Sequence, residues 1–171
     1  MKTLSSSNTR RLLEEDKVFM IYHSTGTAQT AGILPLIKEH RTLLFGPVTG
    51  ASAFREQLNP LVFHVRASYA NEASKILSQL RHQGIDRVSV LYADDGLGKA
   101  LLAELKKAAD DEKFAFVSEL KVDPKQPDFA AAAQATEKAK PQAVIVATAG
   151  STFTNYVAAV QATSARPTFY G

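Results

Sequence analysis

TLLFGPV (42–48) and LVFHVRA (61–67) are two strand-like runs separated only by TGASAFREQLNP (49–60). Parallel neighbours in one sheet are usually joined by a helical crossover of a dozen or more residues. The segment 49–60 contains Pro60 and has room for one or two helical turns, hardly for a full crossover helix. The run 61–67 therefore reads as a strand that leaves one sheet and delivers the chain to another. Two α/β pieces follow from this, residues 1–66 and 67–171, joined near Arg66–Ser68.

Outward from that junction, strand and helix signals alternate. KVFMIYH (17–23) precedes it; RVSVLYA (87–93), FAFVSELKV (114–122), AVIVATA (143–149) and TFYG (168–171) follow. Several are near-continuous apolar runs, as in strands covered on both faces. Between them lie helical stripes: Ala73, Ile76, Leu77 and Leu80 at i, i+3, i+4, i+7, then Leu101, Leu105 and Ala108. Ser68 and Gly84 suit the two ends of the first of these helices. Asp128 and Pro141 punctuate the alanine-rich helix FAAAAQATEKAK, and STFTNYVAAVQATSA predicts another. The fold class is α/β, with mainly parallel sheets flanked by helices.

Composition excludes several functions. The chain has 171 residues, 45% apolar and 22% charged, with a formal net charge of +3 and no block of Lys or Arg. A nucleic-acid partner would require a basic footprint that is absent here. No run of 18 apolar residues exists to span a membrane. Cysteine is absent, which removes disulfides, thiolate catalysis and zinc–thiolate sites. His23, His40, His64 and His82 form no H-x-x-x-H or H-E-x-x-H pair, so no metal site is expected. His40 and His82 fall on polar helix ends, where solvation is expected. MKTLSSSNTRR has no apolar core of a signal peptide.

The motifs narrow the chemistry further. STGT (24–27) follows an apolar strand and opens a small-residue helix. It has no Lys for a phosphate loop, and Ser24 lies between His23 and Thr25 rather than in G-x-S-x-G. A hydroxyl-rich turn at a helix N-terminus remains, where free N–H groups and the helix dipole favour a carboxylate; a plain cap and turn is the alternative. DDGLGKA (94–100) has Gly98-Lys99 but Ala93 and Ala100 where a P-loop requires Gly and Ser or Thr, so nucleotide binding is not expected. No nucleophile–base set is apparent, so no catalytic residues, enzyme activity or cofactor are expected.

Seven segments in order, NTRRLLEEDKVFMIY, GTAQTAGILPL, LLFGPVTGA, VFHVRASYANEA, RVSVLYADDGLGKA, DFAAAAQ and PQAVIVATAG, resemble the substrate-binding proteins of branched-chain amino-acid (Leu/Ile/Val-type) ABC transporters. These are type I periplasmic binding proteins. The resemblance implies two α/β lobes, a ligand cleft between them, a periplasmic location and a transporter permease as partner. It also implies that the chain corresponds to the middle of the usual protein, with an incomplete first lobe whose exposed surfaces would favour a homodimer. The ligand implied is a branched-chain amino acid or similar small polar solute. Carried over residue by residue, the ligand-contacting positions are Thr25, Gly26 and Thr27, then Val48, Thr49 and Gly50, with Tyr69 near the crossover. In the second lobe they are Leu97, Thr148 and Ala149, with Gly150 beside them. Leu97 stands where the family usually has an aromatic, which leaves the ligand open. Each position also has an ordinary structural reading: turn, helix start or, for ATAGST (147–152), capping by Ser151. A ligand-sensing domain of the same fold is the rival function, and a flavodoxin-like enzyme the more distant one.

Overall fold

The computed structural model describes residues 4–171. Met1–Thr3, on which part of the leader reading rests, lie outside the described residues. The chain divides into two compact units, Met1–Tyr69 and Ala70–Gly171.

In the first unit, α1 (Leu4–Glu14) leads to β1 (Met20–Tyr22), α2 (Thr27–Glu39), β2 (Leu43–Phe45) and β3 (Val62–Phe63). The three strands form a parallel sheet in the order β1-β2-β3. One face carries the core: Leu13 from α1 and Ile33, Leu36 and Ile37 from α2 pack on Ile21 and Leu44. The apolar residues of α2 recur at helical spacing, so one flank of the helix covers the sheet.

The junction behaves differently from the expectation. Residues 49–60 do join parallel neighbours, because β3 pairs with β2 through Leu44↔Val62 and Phe45↔Phe63. A single 3-10 turn at Ser52–Phe54 suffices for the crossing. Asn59 then turns the chain inward, its Oδ1 and main-chain O accepting from Leu61 N (3.0 Å) and Val62 N (3.1 Å). The strand is two residues long, not seven, and belongs to the first sheet. The change of sheet occurs after it, through α3 (Tyr69–His82).

The second unit continues from α3 with β4 (Val88–Ala93), α4 (Gly96–Asp111), β5 (Phe116–Val122), α5 (Phe129–Ala139), β6 (Ala143–Ala147), α6 (Ser151–Gln161) and β7 (Thr168–Tyr170). Its parallel sheet has the order β5-β4-β6-β7. The central strands β4 and β6 are buried almost throughout, as their unbroken apolar runs predict. One cluster joins Ala73, Leu77 and Leu80 of α3 to Val88, Val90, Leu105, Ala108 and Ile145; Leu102, rather than Leu101, packs at its edge. The other joins Leu91, Val144 and Val146 to α5 and α6. There the buried Tyr156 hydroxyl pairs with Thr136 Oγ1 at 2.6 Å.

Asp128 caps α5 by accepting from Ala131 N at 2.9 Å, and Lys140 ends the helix in the left-handed conformation. Ser151 is not a cap. It is the first residue of α6, and Gly150 holds the cap position. His40 also departs from expectation: it ends α2 partly buried, its Nε2 3.5 Å from Glu14 Oε1.

Candidate functional site

In parallel α/β sheets the loops after the strands gather at one edge, where ligands bind. The first unit places residues 23–27 and 46–50 at that edge. The loops are zipped together: Thr25 and Val48 form a parallel bridge. Val48 N donates to Ser24 O at 2.7 Å, and Gly26 N to Val48 O at 3.4 Å. Gly26 caps α2 at φ 96°, ψ 142°, a conformation that L side chains avoid, and supplies no side chain to the first-turn amides. Those amides meet the positive end of the helix dipole.

Around this end lies a hydroxyl cluster. Thr27 Oγ1 is 3.0 Å from Thr49 Oγ1 and 3.4 Å from the Tyr69 hydroxyl. Thr49 Oγ1 also accepts from Ala51 N at 3.3 Å. Thr49 and Tyr69 are fully buried, so both act on the loop from beneath, whereas Thr25 is exposed and Thr27, Gly26 and Val48 are partly so. Gly50 is confined for a packing reason: a Cβ there would lie 2.5 Å from Tyr69 Cδ1. Tyr69 N donates to Gly50 O at 2.7 Å, and the Arg66 guanidinium lies 5.2 Å from the Tyr69 ring centroid. Sequence reasoning missed Arg55. Its Nη2 donates to the carbonyls of Thr49 (3.2 Å) and Arg66 (2.8 Å), tying the loop to the segment that leaves the sheet. Nothing in FREQ distinguishes this arginine from a solvated one.

In the second unit the connections after β4 and β6 run to opposite sides, because β5 lies beyond β4 and β7 beyond β6. The crevice outside such a switch point is the usual ligand position of an open α/β sheet. The loop after β4 holds Asp94 and Asp95; the loop after β6 holds Thr148, Ala149 and Gly150. Thr148 Oγ1 is buried and has no hydrogen-bond partner, an uncommon state for a hydroxyl. Ala149 and Gly150 are exposed. Gly150, at φ 61°, caps α6 without a side-chain hydrogen bond.

Leu97 is partly buried in the first turn of α4. That helix end is already occupied by a carboxylate: Asp95 accepts from Gly98 N at 2.9 Å. Lys99 pairs with Asp94 at 2.7 Å, and Lys121 reaches the same carboxylate at 3.3 Å. The Lys99 hydrogen bond, then that of Lys121, holds the Asp94 carboxyl below its ordinary range. Gly98 is needed for packing: a Cβ there would lie 2.1 Å from Ala93 O. The GLGK sequence is thus a close helix–strand contact with a surface ion pair. Among the described residues, no group of three or more His, Cys, Asp or Glu could hold a metal ion, and no helix is long and apolar enough to cross a membrane.

A family model for periplasmic binding proteins matches residues 2–168. In fold the chain is similar to a substrate-binding periplasmic protein from Ralstonia solanacearum, with TM-score 0.88, 24% identity, and 96% of this chain and 47% of that one covered. It is similar to a possible leucine/isoleucine/valine-binding protein from Rhodopirellula baltica, with TM-score 0.84, 22% identity, and coverage of 96% and 46%. A third similar structure is an ABC-transporter solute-binding protein from Rhodopseudomonas palustris in complex with 3,4-dihydroxybenzoic acid (TM-score 0.80, 24% identity, coverage 92% and 43%). The chain spans about half the length of these solved relatives. No curated protein sequence matches it. With a family model covering nearly the whole chain and parallel sheets of the same fold, the chain belongs to the periplasmic binding protein family.

Proposed function

We propose that the chain forms part of the solute-binding component of a periplasmic ABC transporter, working with a membrane permease and carrying out no chemistry. The solute is small and bears a carboxylate: a branched-chain amino acid or an aromatic acid. The observation that carries this reading is the N-terminus of α2, where Gly26 makes no side-chain cap hydrogen bond and Thr25 and Thr27 flank it in sequence. A carboxylate accepting from the first-turn amides gains charge-assisted hydrogen bonds and the favourable end of the dipole. The unpartnered Thr148 hydroxyl supports a polar contact in the loop after β6. Leu97 offers apolar surface and no hydroxyl, which suits an aliphatic or aromatic body. The aromatic acid held by one fold relative and the Leu/Ile/Val description of another support both solute classes.

The test is calorimetry of the chain with leucine, valine and 3,4-dihydroxybenzoate, and with the corresponding amide or alcohol of any ligand found. Saturable binding that disappears when the carboxylate is replaced is expected. Binding indifferent to the carboxylate, or abolished only by changes outside the loops at 24–27, 48–50, 97 and 148–150, would refute the assignment.

A further inference from the structure

At the loop edge of the first unit, residues 46–50 are held from two sides. On one side they meet 23–27 through the Thr25–Val48 bridge. On the other runs the stretch between β3 and α3, which is neither strand nor helix from His64 to Ser68. The ends of that stretch are tied to the ends of the loop: Gly46 N donates to Phe63 O at 2.8 Å, and Tyr69 N to Gly50 O at 2.7 Å. Arg55 joins the two between these ties. It is half-buried at the end of the 3-10 turn, its main-chain N donating to Ser52 O at 2.7 Å. Its Nη2 donates to Thr49 O at 3.2 Å, to Arg66 O at 2.8 Å and, at longer range, to Ala67 O at 3.4 Å. The residue before it is held as well, with His64 Nε2 3.1 Å from Phe54 O. Arg66 and Ala67 are exposed, so water would satisfy their carbonyls just as well. One cation shared between them and Thr49 O does something water does not: it fixes the distance between loop and segment.

We propose that Arg55 is a positioning residue for solute binding: it clamps the 48–50 loop to the segment 64–68 and so keeps the loop in its binding arrangement before the solute arrives. This rests on the reading of 48–50 as a solute-contacting loop. Arg55 acts through Thr49 and touches no solute. The Thr49 carbonyl takes the guanidinium, while its hydroxyl meets Thr27 Oγ1 at 3.0 Å at the start of α2. A shift of the segment therefore reaches both loops through one residue. The second unit begins directly after the clamp, at Ala70, so the same contact ties the loop to the chain's way out of the first unit. A guanidinium suits the role because it is always charged, only donates, and carries its donors in a fixed plane. Its bonds to carbonyls are charge-assisted and stronger than those of a neutral donor. Without the clamp, a loop in its binding arrangement only about a tenth of the time would weaken apparent affinity about ten-fold. The bound state is unchanged once formed, so the loss falls on the association rate.

Hydrogen exchange, with stopped-flow binding of leucine and of 3,4-dihydroxybenzoate, tests this. Arg55→Met keeps an unbranched stem and removes the donors; Arg55→Lys returns three donors on one ammonium. Arg55→Met should speed exchange at the Tyr69 amide and slow solute association, each about ten-fold, with the dissociation rate unchanged. Exchange at Ile145, in the second sheet, should not change. Arg55→Lys should recover most of both losses. A residue that only stabilised the fold would instead lower the melting temperature and the active fraction, leaving the association rate per active chain as it was. Parent-like exchange at Tyr69 in Arg55→Met would overturn the proposal. So would a loss carried by faster dissociation, as a direct solute contact would give, or an Arg55→Lys chain as impaired as Arg55→Met. Flat titrations of the parent chain with both solutes would refute the solute-binding reading itself, and exchange at Tyr69 would still decide whether Arg55 holds the loop.

Discussion

Thr49→Val tests the loop framework of the candidate site with almost no change of volume. Thr49 is fully buried, and its hydroxyl makes two hydrogen bonds: one with Thr27 Oγ1 at 3.0 Å and one from Ala51 N at 3.3 Å. Valine keeps the shape and loses both. The Thr27 hydroxyl retains the Tyr69 hydroxyl at 3.4 Å, so its loss is partial. Ala51 is 4% exposed, and its amide is left with no acceptor and little water. A neutral hydrogen bond contributes about 1 kcal/mol, and a stranded buried donor costs about 1–3 kcal/mol, so the change should destabilise the unit by roughly 2–3 kcal/mol. For a unit of this size that corresponds to roughly 8–24 °C in melting temperature. Tyr69→Phe removes only the 3.4 Å contact and should cost less than about 1 kcal/mol. Urea unfolding supplies the ranking, and hydrogen exchange at the Ala51 amide locates it: exchange should accelerate in Thr49→Val and hardly change in Tyr69→Phe. Equal stability of Thr49→Val and the parent chain, or a larger cost for Tyr69→Phe, would show that the hydroxyl cluster does not hold the loop.

Three further outcomes follow. Gly98→Ala should destabilise the second unit by about 1–3 kcal/mol or more in urea titration, because the new methyl meets the Ala93 main chain rather than a movable side chain; a neutral result would mean that α4 can shift freely. Lys99→Ala should show flat calorimetric titrations with ATP, as the parent chain should, while the Asp94 carboxyl moves toward its ordinary range by NMR, since the ammonium 2.7 Å away is gone; saturable ATP binding lost with Lys99 would revive the P-loop reading. His64 donates from Nε2 to Phe54 O at 3.1 Å and is held below its usual 6.5 by burial, then by the Arg55 charge, against the raising effect of that hydrogen bond. The unfolded chain therefore binds the proton more readily, so stability present above pH 6.5 is lost as pH falls from there toward the lower folded value. His64→Gln should flatten that part of the melting profile; an unchanged pH profile would refute the assignment.

The strands of the second unit were legible because burial on both faces leaves unbroken apolar runs, as in AVIVATA. Asp128 was legible as a cap because its side chain acts on the backbone three residues ahead. The run 61–67 was legible as a strand, but its shortness and its place beside β2 were not, since these depend on pairing with β2 and on Asn59 turning the chain. Ser151 misled because capping depends on backbone conformation, and Gly150, at φ 61°, already occupies the cap. The candidate site was legible as loops and not as geometry. Threonine and tyrosine hydroxyls read alike in sequence whether they face solvent or, as with Thr49 and Tyr69, support a loop from beneath. Arg55 acts through three main-chain carbonyls, including Ala67 O at 3.4 Å, and no residue type near it announces those partners.

The helix caps carry an argument about charge. α4 and α5 begin with aspartates whose carboxylates accept Gly98 N and Ala131 N, so their positive ends are neutralised within the chain. α2 and α6 begin with glycines in conformations that exclude most other residues, and no side chain takes the cap hydrogen bond. Were these ends purely structural, Ser, Thr or Asp at the cap would stabilise each helix by about 0.5–2 kcal/mol relative to a residue unable to cap, though glycine itself forgoes only a few tenths. Stability therefore exerts little pressure against glycine, and close approach of an outside group to the backbone is where its missing side chain has most effect. Under the proposed function, the carboxylate of the solute takes the place at α2 that Asp95 takes at α4. At α4 the Asp95 carboxylate already holds the Gly98 amide, so that helix end has no place for a further carboxylate. A neutral analogue of the solute should consequently lose the contact at α2, and calorimetry should show its saturable binding gone.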